Sequence, residues 1–266
     1  MIKVVLLGAG NVASHLFKGF SASENISVIQ WYNRTYESIK PYKNQTEVID
    51  DLSQLKEADV YILAVSDDAI SDLSEALPFK DRYIIHTSGT VSMYDLKMKN
   101  KRGVFYPLQS FSKEADVDFR KVPFCIETED KSKMQMLKDL ASGLGSKFFK
   151  VTTEQRKTLH VSAVFINNFT NQMYRIAHEI SDKENIEFDL LKPLIMETAN
   201  KVQDMSPYMA QTGPAKRNDK KTIKKHLKLI ENEEHRDIYK LMTKSIQKTH
   251  RIKYRFDIKR KKNNGR

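Results

Sequence analysis

A glycine-containing turn near the N-terminus constrains the fold of this chain more than any other feature. The sequence Gly8-Ala9-Gly10-Asn11-Val12-Ala13 comes directly after the apolar run VVLL at residues 4–7 and before an amphipathic segment. In this G-x-G-x-x-A pattern Gly8 permits a tight turn, and Gly10 lets the backbone approach a pyrophosphate. The free N–H groups of a helix N-terminus favour the negative charge of such a group. The pattern predicts a strand–turn–helix unit in which the dinucleotide-binding residues are Gly8, Gly10, Asn11 and Val12.

Short apolar runs alternate with longer amphipathic stretches up to about residue 150. This alternation is typical of strands and crossover helices in a parallel sheet. We therefore predict an α/β fold, with a Rossmann-type, mostly parallel sheet at residues 1–150 and an all-α domain at residues 151–250. The predicted strands are residues 4–7, 26–31, 60–65, 83–85, 104–106 and 123–126.

Helical periodicity replaces the alternation after residue 150. Thr152 and Gln155 form a possible capping box at the start of a helix of about 25 residues. Apolar residues on one face of that helix need more cover than a chain of this size readily supplies, so we predict a homodimer built through the helical domain. That apolar face consists of Leu159, Ile166, Phe169, Met173, Ile176 and Ile180.

The residues after the second predicted strand indicate the type of dinucleotide. An NAD site places an acidic residue there to bind the ribose hydroxyls. This chain has Asn33, Arg34 and Thr35 instead. The guanidinium of Arg34 can pair with a 2′-phosphate, and its two neighbours can donate hydrogen bonds. The predicted cofactor is therefore NADP(H).

Polar residues also follow the third and fourth predicted strands. Ligands of open α/β sheets bind at the carboxyl edge, where these turns meet. Val65 and Ser66 are thus expected to contact the cofactor, and His86 and Ser88 to lie at the reactive end. For both serines, capping of a turn or helix is an equally good interpretation.

Four motifs, taken together and in order, resemble one family. They are the Gly8 turn, His86-Thr87-Ser88-Gly89, Tyr106-Pro107-Leu108-Gln109-Ser110-Phe111 and Thr212-Gly213-Pro214-Ala215. The chain is similar, up to about Lys248, to Rossmann-like proteins related to the deazaflavin (F-420)-dependent NADP oxidoreductases, which carry a helical C-terminal domain of unknown function. The wider superfamily includes 6-phosphogluconate dehydrogenase and pyrroline-5-carboxylate reductase. The resemblance implies a helical dimer interface and a substrate-binding role for Gln109.

The same superfamily includes β-hydroxyacid dehydrogenases with a K-x-x-N-N motif on the first helix of that domain. Here Asn167 and Asn168 match, which implies that they orient or bind substrate, but Val164 replaces the proton-transferring lysine. His160 lies one helical turn earlier on the same predicted face as Asn167. It could supply the missing acid, because imidazole titrates near neutrality. The alternative is that His160 only packs in the helix.

The turn that begins at Thr212 offers one further anion-binding candidate. Arg217 can hold an anionic substrate or a cofactor phosphate, since a loop can deliver it to a cleft between the domains. Asp219 is better suited to cap the helix that follows. The sequence contains no cysteine cluster and no His-x-x-x-His pair, so no metal site is predicted.

Charge and composition limit the partners and the compartment. The net charge is +11, and residues 251–266 hold eight basic residues and one acidic residue. We interpret this segment as a solvated basic tail, and the weaker alternative is a nucleic-acid-binding arm. The sequence has no run of about 18 apolar residues, its first residues do not predict a signal peptide, and Cys125 is the only cysteine. These features favour a cytoplasmic protein without a membrane or nucleic-acid partner.

Two functions fit the sequence. The first is hydride transfer between NADP(H) and a small carbonyl, imine or related compound in an interdomain cleft, with His160, Asn167 and Ser88 as the catalytic residues. The second is a non-catalytic NADP(H)-binding sensor or metabolic partner, which the valine at position 164 favours.

Overall fold

The computed structural model describes residues 1–113 and 115–263, and side chains up to residue 250. The chain divides into two compact units, Met1–Phe169 and Thr170–Arg266. The first unit contains the sheet and the second is helical. The predicted domain limits at residues 150 and 250 stay predictions, and the side chains of the predicted basic tail, together with residues 264–266, lie outside the described part.

The sheet of the first unit has eight strands in the order β3-β2-β1-β4-β5-β6-β7-β8. Every neighbouring pair is parallel except β6 with β7. This confirms the predicted Rossmann-type, mostly parallel sheet followed by helices. The strands are β1 Ile2–Leu7, β2 Ile26–Tyr32, β3 Glu47–Ile49, β4 Val60–Leu63, β5 Tyr83–His86, β6 Lys101–Pro107, β7 Phe124–Thr128 and β8 Phe148–Lys150.

The prediction missed two strands, β3 and β8. Each is three residues long, which is too short to show a period-two pattern. Both lie at the outer edges of the sheet. Their absence from the prediction therefore leaves the central strands, which position the cleft described below, unaffected.

Burial on both faces explains why the central strands are continuous apolar runs. In β1, Val4 and Leu6 pack into one core cluster while Val5 and Leu7 pack into another. All four side chains are fully buried. Such two-sided burial is characteristic of parallel sheets covered by helices, and it fixes β1 in the centre of the unit.

The described part of the first unit contains four α-helices, and the start of the last of them was predicted. The capping box at Thr152 and Gln155 is confirmed, with both reciprocal hydrogen bonds formed. The α-helices are α1 Asn11–Ser21, α2 Ile70–Ala76, α3 Met134–Gly143 and α4 Thr153–Ala163. Short 3₁₀ helices of this unit lie at Tyr36–Ser38, Lys40–Tyr42, Leu52–Gln54, Asp67–Ala69, Met93–Asp95, Phe119–Lys121 and Lys131–Lys133.

One continuous α-helix of about 25 residues was predicted from Thr152 onward, and this was wrong. A π-helical segment, Val164–Phe169, follows α4 and interrupts the α-helical hydrogen bonding. A π segment has more residues per turn, so it changes the face on which later residues lie. Within it Ile166 and Phe169 are exposed to solvent in this chain.

The second unit is helical throughout its described part. It contains one 3₁₀ helix, Phe188–Leu191, within residues 170–263. Its α-helices are α5 Thr170–Asp182, α6 Lys192–Asp204, α7 Pro207–Ala210, α8 Pro214–Arg217, α9 Lys220–Leu229 and α10 Glu233–Asn263.

Candidate functional site

A cleft of about 950 Å³ opens in the first unit at the carboxyl ends of β2, β1, β4 and β5. The turns after these strands supply much of its lining, at residues 8–12, 32–34, 64–67 and 87–89. The chain order reverses between β1 and β4, because β2 and β3 lie on one side of β1 and the later strands lie on the other. Open α/β sheets bind their ligands at this kind of switch point.

The Gly8 turn is built to leave backbone groups open to the cleft. Gly8 has φ +110°, and a side chain there would collide with the Ala64 backbone. A Cβ on Gly10 would meet nothing within 4 Å, and no side chain caps the N-terminus of α1. A phosphate can therefore approach the first turn of α1 without obstruction. This cradle fits the pyrophosphate of a dinucleotide.

Arg34 lies in the part of the cleft that follows β2. It lines the cleft with Asn33, is exposed, and has no ion-pair partner in the part of the chain that the structure describes. The side-chain amide of Asn33 donates to the Thr35 carbonyl at 2.9 Å, which stabilises the turn. Thr35 itself is exposed and does not line the cleft. The free guanidinium suits the 2′-phosphate that distinguishes NADP(H).

His160 and the turn at Ser88 meet at the other side of the cleft. Both residues line it, and a Cβ added to Gly89 would lie 2.5 Å from His160 Nδ1. Only a glycine at position 89 lets the α4 histidine approach this closely. The hydroxyl of Ser88 accepts hydrogen bonds from the N–H groups of Thr90 and Val91, both at 3.0 Å. Ser88 therefore stabilises the turn, which was the alternative interpretation of this serine.

Tyr106 orients the imidazole of His160. The Tyr106 hydroxyl and His160 Nδ1 are 3.1 Å apart. Burial raises the pKa of Tyr106 to about 12, so the phenol keeps its proton at neutral pH. The direction of this hydrogen bond depends on the tautomer of the ring: when the hydroxyl donates to Nδ1, Nε2 carries the ring proton. Because Nε2 has no hydrogen-bond partner among the described residues, it is free to act on a ligand.

A buried ion pair supports the turn that carries Ser88. Arg156 is completely buried, and its Nη1 donates to the Ser88 carbonyl at 2.9 Å. Its Nη2 lies 3.4 Å from the Glu127 carboxylate, which also accepts from the N–H and hydroxyl of Thr153. Burial lowers the pKa of Arg156, and the neighbouring carboxylate opposes that shift. This network links α4, which carries His160, to the turn after β5.

The structure separates several predicted site residues from the cleft. His86 is fully buried, accepts from the Ser88 N–H, and burial lowers its pKa to about 3. The prediction that His86 lies at the reactive end of the site, where it could bind substrate, is therefore wrong, because the buried ring does not line the cleft. Asn167 and Asn168 are exposed within the π-helical segment and do not line the cleft. Arg217 lies at the end of α8 in the second unit, and its role stays a prediction.

Other predicted residues line the cleft as expected. Several residues that line or support the cleft were not predicted from the sequence. Val65, Ser66 and Gln109 contribute to the lining with the glycine turn. Tyr106 lies in a motif that was recognised, but its partner at position 160 is 54 residues away. Phe111 ends the same recognised motif, but no cleft role was predicted for it, and none was predicted for Asp67 or for Arg156, which bonds the Ser88 carbonyl.

Two features are absent from the described part of the chain. No group of three or more His, Cys, Asp or Glu side chains is arranged to hold a metal ion among the side chains described up to residue 250. No helix among the described residues is long and apolar enough to span a bilayer.

Comparison with protein-family models gives two matches. Residues 3–89 match "NADP oxidoreductase coenzyme F420-dependent". Residues 122–246 match "Domain of unknown function (DUF2520)". No curated protein matches the chain.

Comparison with solved structures gives a relative over nearly the full length. A "putative NADP oxidoreductase" from Bacteroides fragilis is 37% identical, covers 93% of this chain and 98% of its own, and has a TM-score of 0.84. The chain belongs to this NADP oxidoreductase family. A Thermotoga maritima protein at 19% identity has a TM-score of 0.72, with 94% and 99% of the two chains covered. The fold is shared with a 1-pyrroline-5-carboxylate reductase from Streptococcus pyogenes, which is 16% identical and has a TM-score of 0.62. The match covers 94% of this chain and 98% of the reductase.

The cofactor of this NADP oxidoreductase is NADP(H), as the sequence predicted. The phosphate-accessible turn at Gly8 and the unpaired guanidinium of Arg34 fit that cofactor.

Arg34→Asp is expected to abolish the preference for NADPH over NADH. The unmutated protein should bind NADPH at least about tenfold more tightly, or about 1.4 kcal/mol, because one charge-assisted contact is gained. The substitution removes that contact and adds repulsion of the 2′-phosphate. Calorimetric titration with both cofactors measures the effect.

Lys43→Asp is the matched control for this substitution. Lys43 is exposed and lies outside the cleft lining, so its replacement should leave the preference unchanged. Equal affinity of the unmutated protein for both cofactors would contradict the assignment.

Proposed function

We propose that this NADP oxidoreductase catalyses hydride transfer between NADP(H) and a small carbonyl, imine or related compound, with His160 as the proton donor or acceptor. The observation that carries the proposal is the position of His160 in the cleft wall, against the turn after β5. The bound cofactor supplies or accepts the hydride. In the reducing direction the substrate carbon gains the hydride, and its oxygen or nitrogen gains one proton. An imidazole is suited to transfer that proton at neutral pH.

Tyr106 is proposed to keep His160 in the useful tautomer. By donating to Nδ1, its hydroxyl leaves the proton on Nε2, the nitrogen without a protein partner. Arg156 holds the Ser88 carbonyl and thereby supports the surface on which His160 rests. The two residues act through other groups and are positioning residues, whereas His160 is proposed to touch the substrate.

The remaining residues divide into cofactor and substrate roles. We propose that the Gly8 turn binds the pyrophosphate, that Asn33 and Arg34 bind the adenosine end, and that Val65 and Ser66 contact the nicotinamide half. Gln109 is the polar side chain best suited to a substrate contact, because it lines the same cleft as His160. The roles of Thr35, Asn167, Asn168 and Arg217, the interdomain position of the substrate, the homodimer and the cytoplasmic location stay predictions.

The function is tested by following NADPH consumption with a panel of ketones, aldehydes, cyclic imines and coenzyme F420, which the family description names. We expect at least one class to be reduced, with one cofactor oxidised for each product formed. The alternative, a non-catalytic NADP(H)-binding protein, is favoured by the valine at position 164. Tight NADPH binding without consumption by any member of the panel would support that alternative and overturn the proposal.

A further inference from the structure

The reactive side of the cleft contains a carboxylate to which no role has yet been given. Asp67 begins the 3₁₀ helix Asp67–Ala69 directly after β4, and it is exposed and lines the cleft. Its carboxylate accepts a hydrogen bond from the Thr90 hydroxyl, at the end of the turn that carries Ser88. Asp67 thus lies beside the same turn that contacts His160.

The charge of Asp67 is not neutralised within the first unit. It forms no ion pair among the residues that the structure describes. Arg34 follows β2, on the opposite side of β1 from β4, and the buried Arg156 is paired with Glu127. Burial is the main cause that raises the pKa of Tyr106, and among the smaller causes the Arg156 cation lowers it while the Asp67 carboxylate raises it. Asp67 therefore brings a carboxylate without an ion-pair partner among the described residues to this side of the cleft.

The strand order indicates which half of the cofactor this charge would act on. The pyrophosphate cradle lies after β1, and Arg34 marks the adenosine side after β2. The turns after β4 and β5 lie on the other side of β1, where the nicotinamide half of a dinucleotide extends in this fold. Asp67 belongs to that side.

The oxidation state changes the charge of the nicotinamide ring, which is neutral in NADPH and carries one positive charge in NADP⁺. A nearby carboxylate stabilises the cation by Coulomb attraction. We propose that Asp67 makes the cleft bind NADP⁺ more tightly relative to NADPH and thereby favours hydride donation to the substrate. In that direction the nicotinamide C–H bond breaks, a C–H bond forms on the substrate, and one proton is taken up. The inference rests on the proposed function, since it gives that reaction its direction.

The test compares the dissociation constants of NADP⁺ and NADPH, measured by calorimetry on the full-length protein. Asp67→Asn removes the charge but keeps an oxygen that can accept from Thr90. We expect the ratio Kd(NADP⁺)/Kd(NADPH) to rise about three- to tenfold, which equals about 0.7 to 1.4 kcal/mol. Asp67→Glu keeps the charge, so its Kd ratio should stay near that of the unmutated protein.

Asp68→Asn is the matched control, because this neighbouring carboxylate is also exposed but does not line the cleft. It should leave the ratio unchanged. An unchanged ratio in Asp67→Asn, or an equal change in Asp68→Asn, would overturn the proposal. Both measurements are of binding alone, so a protein without turnover can still pass or fail this test independently of the proposed reaction.

Discussion

His160→Ala is expected to lower kcat by about 10²- to 10⁴-fold with the substrate found in the panel, because a positioned general acid or base contributes that much. The affinity for NADPH should not change, since the Gly8 turn, the proposed pyrophosphate site, is formed by other elements. Calorimetry with NADPH and steady-state kinetics measure the two quantities separately. A loss confined to kcat identifies a group that acts in the transition state.

Three further measurements distinguish proton transfer by His160 from a packing role. Added imidazole should partly restore turnover in His160→Ala, because it supplies the missing group. Tyr106→Phe keeps the ring but removes the hydroxyl that contacts Nδ1, and it should cause a smaller loss of kcat. His178→Ala, which removes a helical histidine of the second unit, should leave kcat unchanged. Full turnover in His160→Ala would show that this residue only packs on the Ser88 turn.

Arg156→Met is expected to lower the free energy of unfolding of the first unit by about 3 to 5 kcal/mol, the usual effect of removing one partner from a buried ion pair. The substitution leaves the Glu127 carboxylate without its cation and the Ser88 carbonyl without its donor. The lower part of the range is expected, because Thr153 still donates two hydrogen bonds to that carboxylate.

Urea denaturation followed by tryptophan fluorescence measures this effect. Trp31 is the only tryptophan of the chain and is fully buried in β2, so its signal reports the unfolding of the first unit. Arg82→Met is the control. Its ion pair with Glu57 is exposed, so this substitution should lower the free energy of unfolding by less than about 1 kcal/mol. Equal losses in the two variants would show that burial of Arg156 contributes nothing to stability.

The central part of the fold could be predicted because its signals are local. Strands covered on both faces are largely apolar, so residues 4–7 of β1 and all of β4 form uninterrupted apolar runs, and β2 and β5 are mostly apolar. The glycine turn is equally local, since the positive φ of Gly8 and the open space at Gly10 are properties of neighbouring residues. The three-residue edge strands could not be found, because they are too short to show a period.

The interruption of the predicted long helix shows where local periodicity stops being sufficient. The residues of Val164–Phe169 are compatible with an α-helix, and the sequence has no proline or glycine there to signal a break. The prediction that Asn167 shares a face with His160 assumed regular α-helical spacing. The π-helical turn changes that spacing, so Asn167 does not line the cleft with His160.

The reactive side of the cleft depends on contacts between residues that are far apart in the chain. The sequence by itself determined the α/β class, the glycine turn and the NADP(H) cofactor, because the signals for each are encoded within a few consecutive positions. Only the tertiary structure brought Tyr106 to His160, Arg156 to the carbonyl of Ser88, and Asp67 to Thr90. The parallel sheet explains the difference, since it gathers the ends of separate strands at one edge and places α4 against a turn 68 residues earlier.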